Sequence, residues 1–276
     1  MNPSPSDPRS LLTPAETDAS AQWTRHPYPD APRFSADDLA AHWPRLHAGQ
    51  GLPPPAQGPL AEGWALYHSG DFERAAALGL RHGGEGIALA NQATAIYANY
   101  LEPRESVRLA LFKQVAERAT AQIAHHHDDC QALYWQAYAL GRYSQGISVA
   151  RALAQGLGSK VKGALERVIE LRPDHADAHV ALAAFHAEVV DKVGSLVARM
   201  TYGARADASL ALFERGLQLN PNSASALMEY ARGLLMLQGE SRIAEATRLY
   251  ERASRLQPAD AREKLDVELA RAGLSD

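Results

Sequence analysis

The chain has 276 residues, 46% of them hydrophobic, a formal charge of −4, a pI near 6.3 and one cysteine, Cys130. Such a chain can bury a substantial core, but it cannot form an intrachain disulfide, and it lacks the strongly basic domain or stripe of a nucleic-acid binder. No stretch reaches the roughly 18 uninterrupted apolar residues of a membrane span, and residues 1–18 show no basic start leading into the apolar run of a secretory signal, so a cytoplasmic protein is expected.

Residues 1–33 carry Pro3, Pro5, Pro8, Pro14, Pro27, Pro29 and Pro32 with little apolar periodicity, the composition of a disordered or extended arm. Trp23, Tyr28 and Phe34 are too large for a pure spacer; they either dock on the folded body or stand as exposed recognition points. Residues 34–59 form a second segment. Ser35, with Asp38 three residues later, marks the start of a short helix running to about His47, and Gly49 to Pro59, with Pro53-Pro54-Pro55, reads as a linker.

From residue 60 to 276 the chain reads as helices, with no sustained strand alternation. Gly70-Asp71 separates two short helices, and Gly83-Gly84-Glu85-Gly86 precedes another that runs to about Tyr100. Pro103 suits the first turn of a long helix to about His126, and Asp128 or Asp129 caps the next. Gly156 to Ser159 is a turn with a serine cap. The last helix, about Ala259 to Ala272, carries Arg262, Glu263, Lys264, Asp266, Glu268 and Arg271, a polar face suited to capping a stack beyond which nothing packs.

One phrase, E-R-x-x-x-L-x-P, occurs three times, beginning at Glu166, Glu214 and Glu251 and ending at Pro173, Pro221 and Pro258. Each copy is a helix end stopped by a proline, which lacks the N–H that a helix interior needs. Gly146, Val149, Ala150, Arg151, Glu166, Arg167, Leu171 and Pro173 all recur 48 positions later, as Gly194, Val197, Ala198, Arg199, Glu214, Arg215, Leu219 and Pro221. A fixed interval of this kind marks a repeat architecture.

These repeats resemble tetratricopeptide (TPR) repeats, whose pattern is W-x2-L-G-x2-Y, then A-x3-F, then P. The second half matches as Ala246-x3-Tyr250 to Pro258, Ser209-x3-Phe213 to Pro221 and Val161-x3-Leu165 to Pro173. The first half keeps register through Ala137, Ala183 and Ala231, small residues where two helices cross. The resemblance implies an all-α, right-handed superhelix of about four to five antiparallel helix hairpins. Two repeats exceed the family length by about 12 to 14 residues, in the Gly-x2-Val-Ala-Arg segments, as an extended first helix or an added short one. This long-repeat variant, in a chain whose Arg and Ala usage suggests a bacterial coding bias, also bears a faint similarity to the helical domain of the regulator of microtubule dynamics family, some relatives of which take lipid or partner proteins in a groove.

Candidate chemistry is sparse. His125-His126-His127 cannot converge on one ion from a helix and suits a helix C-terminus. His175, His179 and His186 share one face at a spacing that zinc sites use, but two of them fill packing slots and no acid or cysteine completes the set, so no metal or cofactor is expected. Gly156 to Lys160 lacks the order and the strand of a phosphate loop, and no nucleophile is evident; the chain reads as non-enzymatic. Arg151 and Arg199 either pair with acids such as Glu188 and Asp191 or contact an anion. Counting from the packing slots, the inner groove is lined by Gln131, Tyr134, Tyr138, Arg142, Asp177, Val180, Glu188, Ser225, Met228 and Arg232, a composition suited to contact surfaces. The function expected from this is a scaffold holding a protein or peptide partner; the alternative is a small-molecule or lipid-binding module.

Overall fold

The computed structural model describes residues 22–55 and 57–275; the first part of the arm and Ala56 in the linker lie outside the described residues. The described chain is helical, with no strand among the described residues. In order the helices are α1 (Ala36–Leu46), α2 (Pro59–His68), α3 (Phe72–His82), α4 (Gly86–Tyr100), α5 (Glu105–His125), α6 (Cys130–Gln145), α7 (Val149–Ala154), α8 (Leu157–Leu171), α9 (Ala176–Val193), α10 (Ser195–Tyr202), α11 (Ala206–Leu219), α12 (Ala224–Gln238), α13 (Ile243–Ser254) and α14 (Ala261–Ala272). Successive hairpins pair α2 with α3, α4 with α5, α6 with α8, α9 with α11 and α12 with α13. The extra length of the two long repeats is therefore an added short helix in each, α7 and α10.

Side-chain caps set half of the starts, that of α9 by His175 among them. Ser35, Asp71, Asp129, Ser148, Ser223 and Asp260 each accept from a backbone N–H of the first turn that follows, satisfying donors that have no partner within the helix. Two expected starts move. Helix α5 begins at Glu105 with Arg104 at its N-cap, so Pro103 stands just outside it. Helix α8 starts from Gly156 in the left-handed conformation, φ 63°, and Ser159 lies inside the helix rather than capping it.

The hairpins cross at small residues. Ala137, Ala183 and Ala231 are buried on α6, α9 and α12, and the serine in the facing slot of α11 uses its hydroxyl there: Ser209 Oγ donates to the carbonyl of Ala183 at 2.8 Å. On α3 and α4 the approach is closer still, because a Cβ on Gly79 would lie 2.4 Å from the carbonyl oxygen of Gly86. In two of the three copies of the repeated phrase the arginine ties the hairpin to its own entry turn: Arg167 binds Asp128 and Arg252 donates to the carbonyl of Pro221.

Both ends of the described chain fold back onto the stack. Trp23 stacks on Tyr97 with ring centroids 4.0 Å apart, and Tyr28 and Phe34 pack against the main core. His26 Nε2 donates to the carbonyl of Ala261 at 2.9 Å, and Asp30 pairs with Lys264 at 2.6 Å, so residues 22–34 reach both α4 and α14. The α1–α2 connection meets α9, where the N–H of Asp177 donates to the carbonyl of Gly49 at 3.0 Å. Most of the polar side chains expected on a solvent-facing cap turn inward instead, Arg271 alone of the six staying exposed. Lys264 and Asp266 are buried, and α14 packs on α12 and α13 and touches α2. Its charges are neutralised by neighbours: Arg262 with Asp266, Lys264 with Glu268 and Asp30, Arg45 with Glu263.

Candidate functional site

The first helices of three successive hairpins converge on one cleft. On α6, Tyr134, Tyr138, Gly141, Arg142 and Gln145 share a face, spaced at three and four residues; α9 contributes Asp177, Val180, Ala181, Ala184 and Glu188, and α12 contributes Ser225 and Glu229. This is the spacing at which side chains lie above one another on a helix. Tyr100 from α4, Leu157, Val161 and Leu165 from α8, Phe185 from α9 and Arg262 from α14 complete the wall around a space of about 140 Å³.

Charge pairs order the floor. Arg142 Nη2 donates to Glu229 Oε1 at 2.9 Å, linking α6 to α12, and the guanidinium carbon lies 5.4 Å from the centre of the Tyr138 ring, within cation–π range. Arg142 also donates to Gln145, whose amide donates to Glu188. Burial opposes the charge of Arg142, but Tyr138 and Glu229 beside it more than offset this, and its pKa lies above the ordinary guanidinium value. Burial also raises the phenols of Tyr134 and Tyr138, so both remain O–H donors. Arg262 donates to Ser225 Oγ at 3.0 Å and holds Asp266 behind it. The cleft thus offers phenol edges, an apolar wall of Val161, Leu165 and Phe185, and both signs of charge.

Of the residues expected to line the groove, Tyr134, Tyr138, Arg142, Asp177, Val180, Glu188 and Ser225 border this cleft. Tyr134 and Val180 contribute only an edge, since both side chains are largely buried, Tyr134 against Trp135 and His175. Gln131 stands outside, accepting from the indole of Trp135. Met228 is buried in a separate cluster with Leu227, Ala253 and Val267, and Arg232 pairs with Glu229 beyond the cleft. Glu229 itself was not anticipated, although it lies four residues after Ser225 on the same face. Arg262 and Tyr100 carried no such signal, because they reach the cleft from helices remote in sequence.

The three histidines with zinc-like spacing have separate structural tasks. His175 Nδ1 accepts from the N–H of Ala178 as the cap of α9, His179 Nε2 donates to the carbonyl of Pro173, and His186 Nδ1 accepts from the N–H of Arg205. Among the described residues no group of three or more His, Cys, Asp or Glu side chains is placed to hold a metal. Arg151 and Arg199 are exposed. They do not pair with Glu188, which binds Gln145 and Lys192.

A second, smaller space of about 20 Å³ sits where the chain ends meet, walled by His47, Tyr67, His68, Gln92, Asp260 and Asp266 among others. Asp260 accepts from His68 Nδ1 at 2.7 Å, and the Nε2 atoms of His68 and His47, 3.1 Å apart, share one proton. Burial lowers the pKa of His47 well below its ordinary value. For Asp260, burial works upward, but the hydrogen bond and charge of His68 prevail and hold it below the usual carboxylate value. Tyr100 donates to Asp266, whose pKa burial raises to about 6 despite Arg262.

No protein-family model and no curated protein matches the chain. Among solved structures it is similar to a thermophilic TPR protein of Thermus thermophilus, with a TM-score of 0.53 over 78% of this chain and 97% of that one, at 17% sequence identity. At that identity the likeness concerns the fold: this is a TPR-like helical-repeat protein. No helix among the described residues is long and apolar enough to cross a membrane.

Proposed function

We propose that the protein is a non-catalytic scaffold that holds a segment of a protein partner in the cleft between α6, α9 and α12. The observation that carries this reading is the mixed lining of a partly open space of about 140 Å³. A cavity of about 150 Å³ accepts a benzene-sized group, whereas sites for drug-sized ligands run to roughly 300–1,000 Å³. The space therefore suits one anchor side chain of a peptide, apolar at its tip against Val161, Leu165 and Phe185, with Arg142, Glu229 and Glu188 addressing the polar groups beside it. A lipid chain would need a longer and more uniformly apolar channel. Helical-repeat folds of this type commonly serve as interaction scaffolds, although fold alone does not assign a function.

Gly141 provides the test. It lies in the middle of α6, borders the cleft, and a Cβ built on it meets no atom within 4 Å. Gly141→Leu fills the cleft while removing a poor helix former, which favours the fold by about 0.5–1 kcal/mol. Peptides selected from a displayed random library against the full chain are expected to bind Gly141→Leu at least about tenfold more weakly, a loss of about 1.4 kcal/mol, with an equal or higher melting temperature. Selected peptides that bind the variant as tightly as the wild type would overturn the assignment of the cleft.

A further inference from the structure

Among the described residues, five of the ten exposed large apolar side chains lie on two short helices. Val149 and Leu153 stand out on α7, and Leu196, Val197 and Met200 on α10, with Leu196 73% and Met200 79% exposed. These are the two helices that lengthen the repeats, and each joins the first helix of its hairpin to the second. The start of α8, just after α7, meets the end of α10: a Cβ on Gly158 would lie 2.7 Å from the ring of Tyr202. Leu237 from the end of α12 packs into the same cluster as Ala198.

Within α7 and α10 themselves the charge has one sign. In a chain of net charge −4, residues 130–165 and 192–206 contain no aspartate or glutamate. Arg151, Lys160 and Arg199 are exposed and make no ion pair with any described residue. Arg142 and Arg205, in the same two segments, have carboxylate partners in Glu229 and Asp207, so Arg151, Lys160 and Arg199 are the cations left free there. None of Val149, Leu153, Leu196, Val197 and Met200 lines either cleft described above. A symmetric contact with a second copy would set Arg151 and Arg199 near their own counterparts, which like-charge repulsion opposes.

We propose that α7 and α10 form a docking edge for a membrane surface containing anionic phospholipid. Leu196, Val197, Met200, Val149 and Leu153 enter the boundary between headgroups and acyl chains, and Arg151, Lys160 and Arg199 meet the lipid phosphates, the division of labour of an interfacial amphipathic helix. The contact is peripheral and reversible, and it is independent of the cleft on the inner face.

Co-sedimentation of the full chain with vesicles tests this. Binding is expected to vesicles of phosphatidylglycerol mixed equally with phosphatidylcholine, to weaken with added salt, and to be lost on phosphatidylcholine alone. Leu196→Ser with Met200→Ser should lower partitioning roughly tenfold or more, since each apolar side chain contributes by leaving water. Arg151→Gln with Arg199→Gln should remove the preference for the anionic vesicles. These side chains are exposed, so both variants should melt with the wild type, and circular dichroism checks that they do. Absence of vesicle binding, binding unchanged in both variants, or a concentration-dependent dimer that Leu196→Ser with Met200→Ser dissolves would each overturn the proposal; the last would assign the edge to a second copy.

Discussion

Two regions of the inner face are built from the same residue types and behave differently. Around α14 and the α1–α2 connection, histidine, arginine, tyrosine and carboxylate side chains are closed over: Asp266 and His68 are 1% exposed and Asp260 3%. In the cleft between α6, α9 and α12, Arg142 and Glu229 keep 24% and 19% of their side chains exposed and face open space. The closed region is sealed by partners far apart in sequence, His68 with Asp260 and Tyr100 with Asp266, and the exposed Asp30 pairs with Lys264 at its rim. The cleft is bounded mostly by consecutive hairpins. A repeat stack thus presents a continuous inner surface, but here the chain's own ends cover the part near the first hairpins and leave the later hairpins accessible.

The largest expected effect lies in the closed region. Asp260 caps α14 through the N–H of Glu263 at 2.7 Å and accepts from His68. Asp260→Ala removes both and leaves polar groups buried without a partner, for which a loss of about 3–5 kcal/mol is expected in denaturant unfolding. Asp260→Asn keeps a cap and an acceptor, so it should recover part of that loss. An alanine variant that unfolds with the wild type would erase the contrast between the regions.

The pH dependence sharpens it. Burial depresses His47, and also His175 and His186. The unfolded chain takes up these protons near pH 6.5 and the native chain does not. The stability they contribute is therefore full above about pH 6.5 and is lost as the pH falls below it, by up to about 1.4 kcal/mol per pH unit for each. Asp266, raised by burial to about 6, acts with the opposite sign: between its unfolded value and about 6 the native state holds the extra proton, so its contribution grows on acidification. Glu263, raised by burial and by Asp260, adds to it. The histidines are more numerous, so the melting temperature should fall from pH 7 to pH 5. Asp266→Asn should make that fall steeper, and an unchanged or shallower slope in the variant would contradict the assignment.

What could be read from the sequence follows the same division. The hairpins were legible because they are local: the E-R-x-x-x-L-x-P phrase, Ala137, Ala183 and Ala231 at the crossings, and Tyr138 and Arg142 one turn apart on a first helix. The cleft was legible as far as it is made of such helices. Arg262 and Tyr100 were not, because no spacing in the chain relates the last helix to α4. The run of charges in α14 reads as a solvated face when each residue is taken alone. It becomes an inward face only when Arg45, Asp30 and Tyr100 arrive from the other end of the chain to pair with it.

The smallest expected effect belongs to the feature most visible in the sequence. Arg167 and Arg252 are two of the three recurring arginines of the repeated phrase, and each binds the entry turn of its own hairpin. Arg167 keeps 42% of its side chain exposed and its partner Asp128 keeps 61%, so water competes for both charges and salt screens them. Arg167→Ala with Arg252→Ala should give thermal melting curves that overlay the wild type, at low salt as well as high. A clear drop in melting temperature that salt abolishes would mean that these surface ties set the spacing of the hairpins. The division between a sealed polar region that determines stability and an exposed one that leaves it unchanged would then have to be redrawn along the repeats rather than across them.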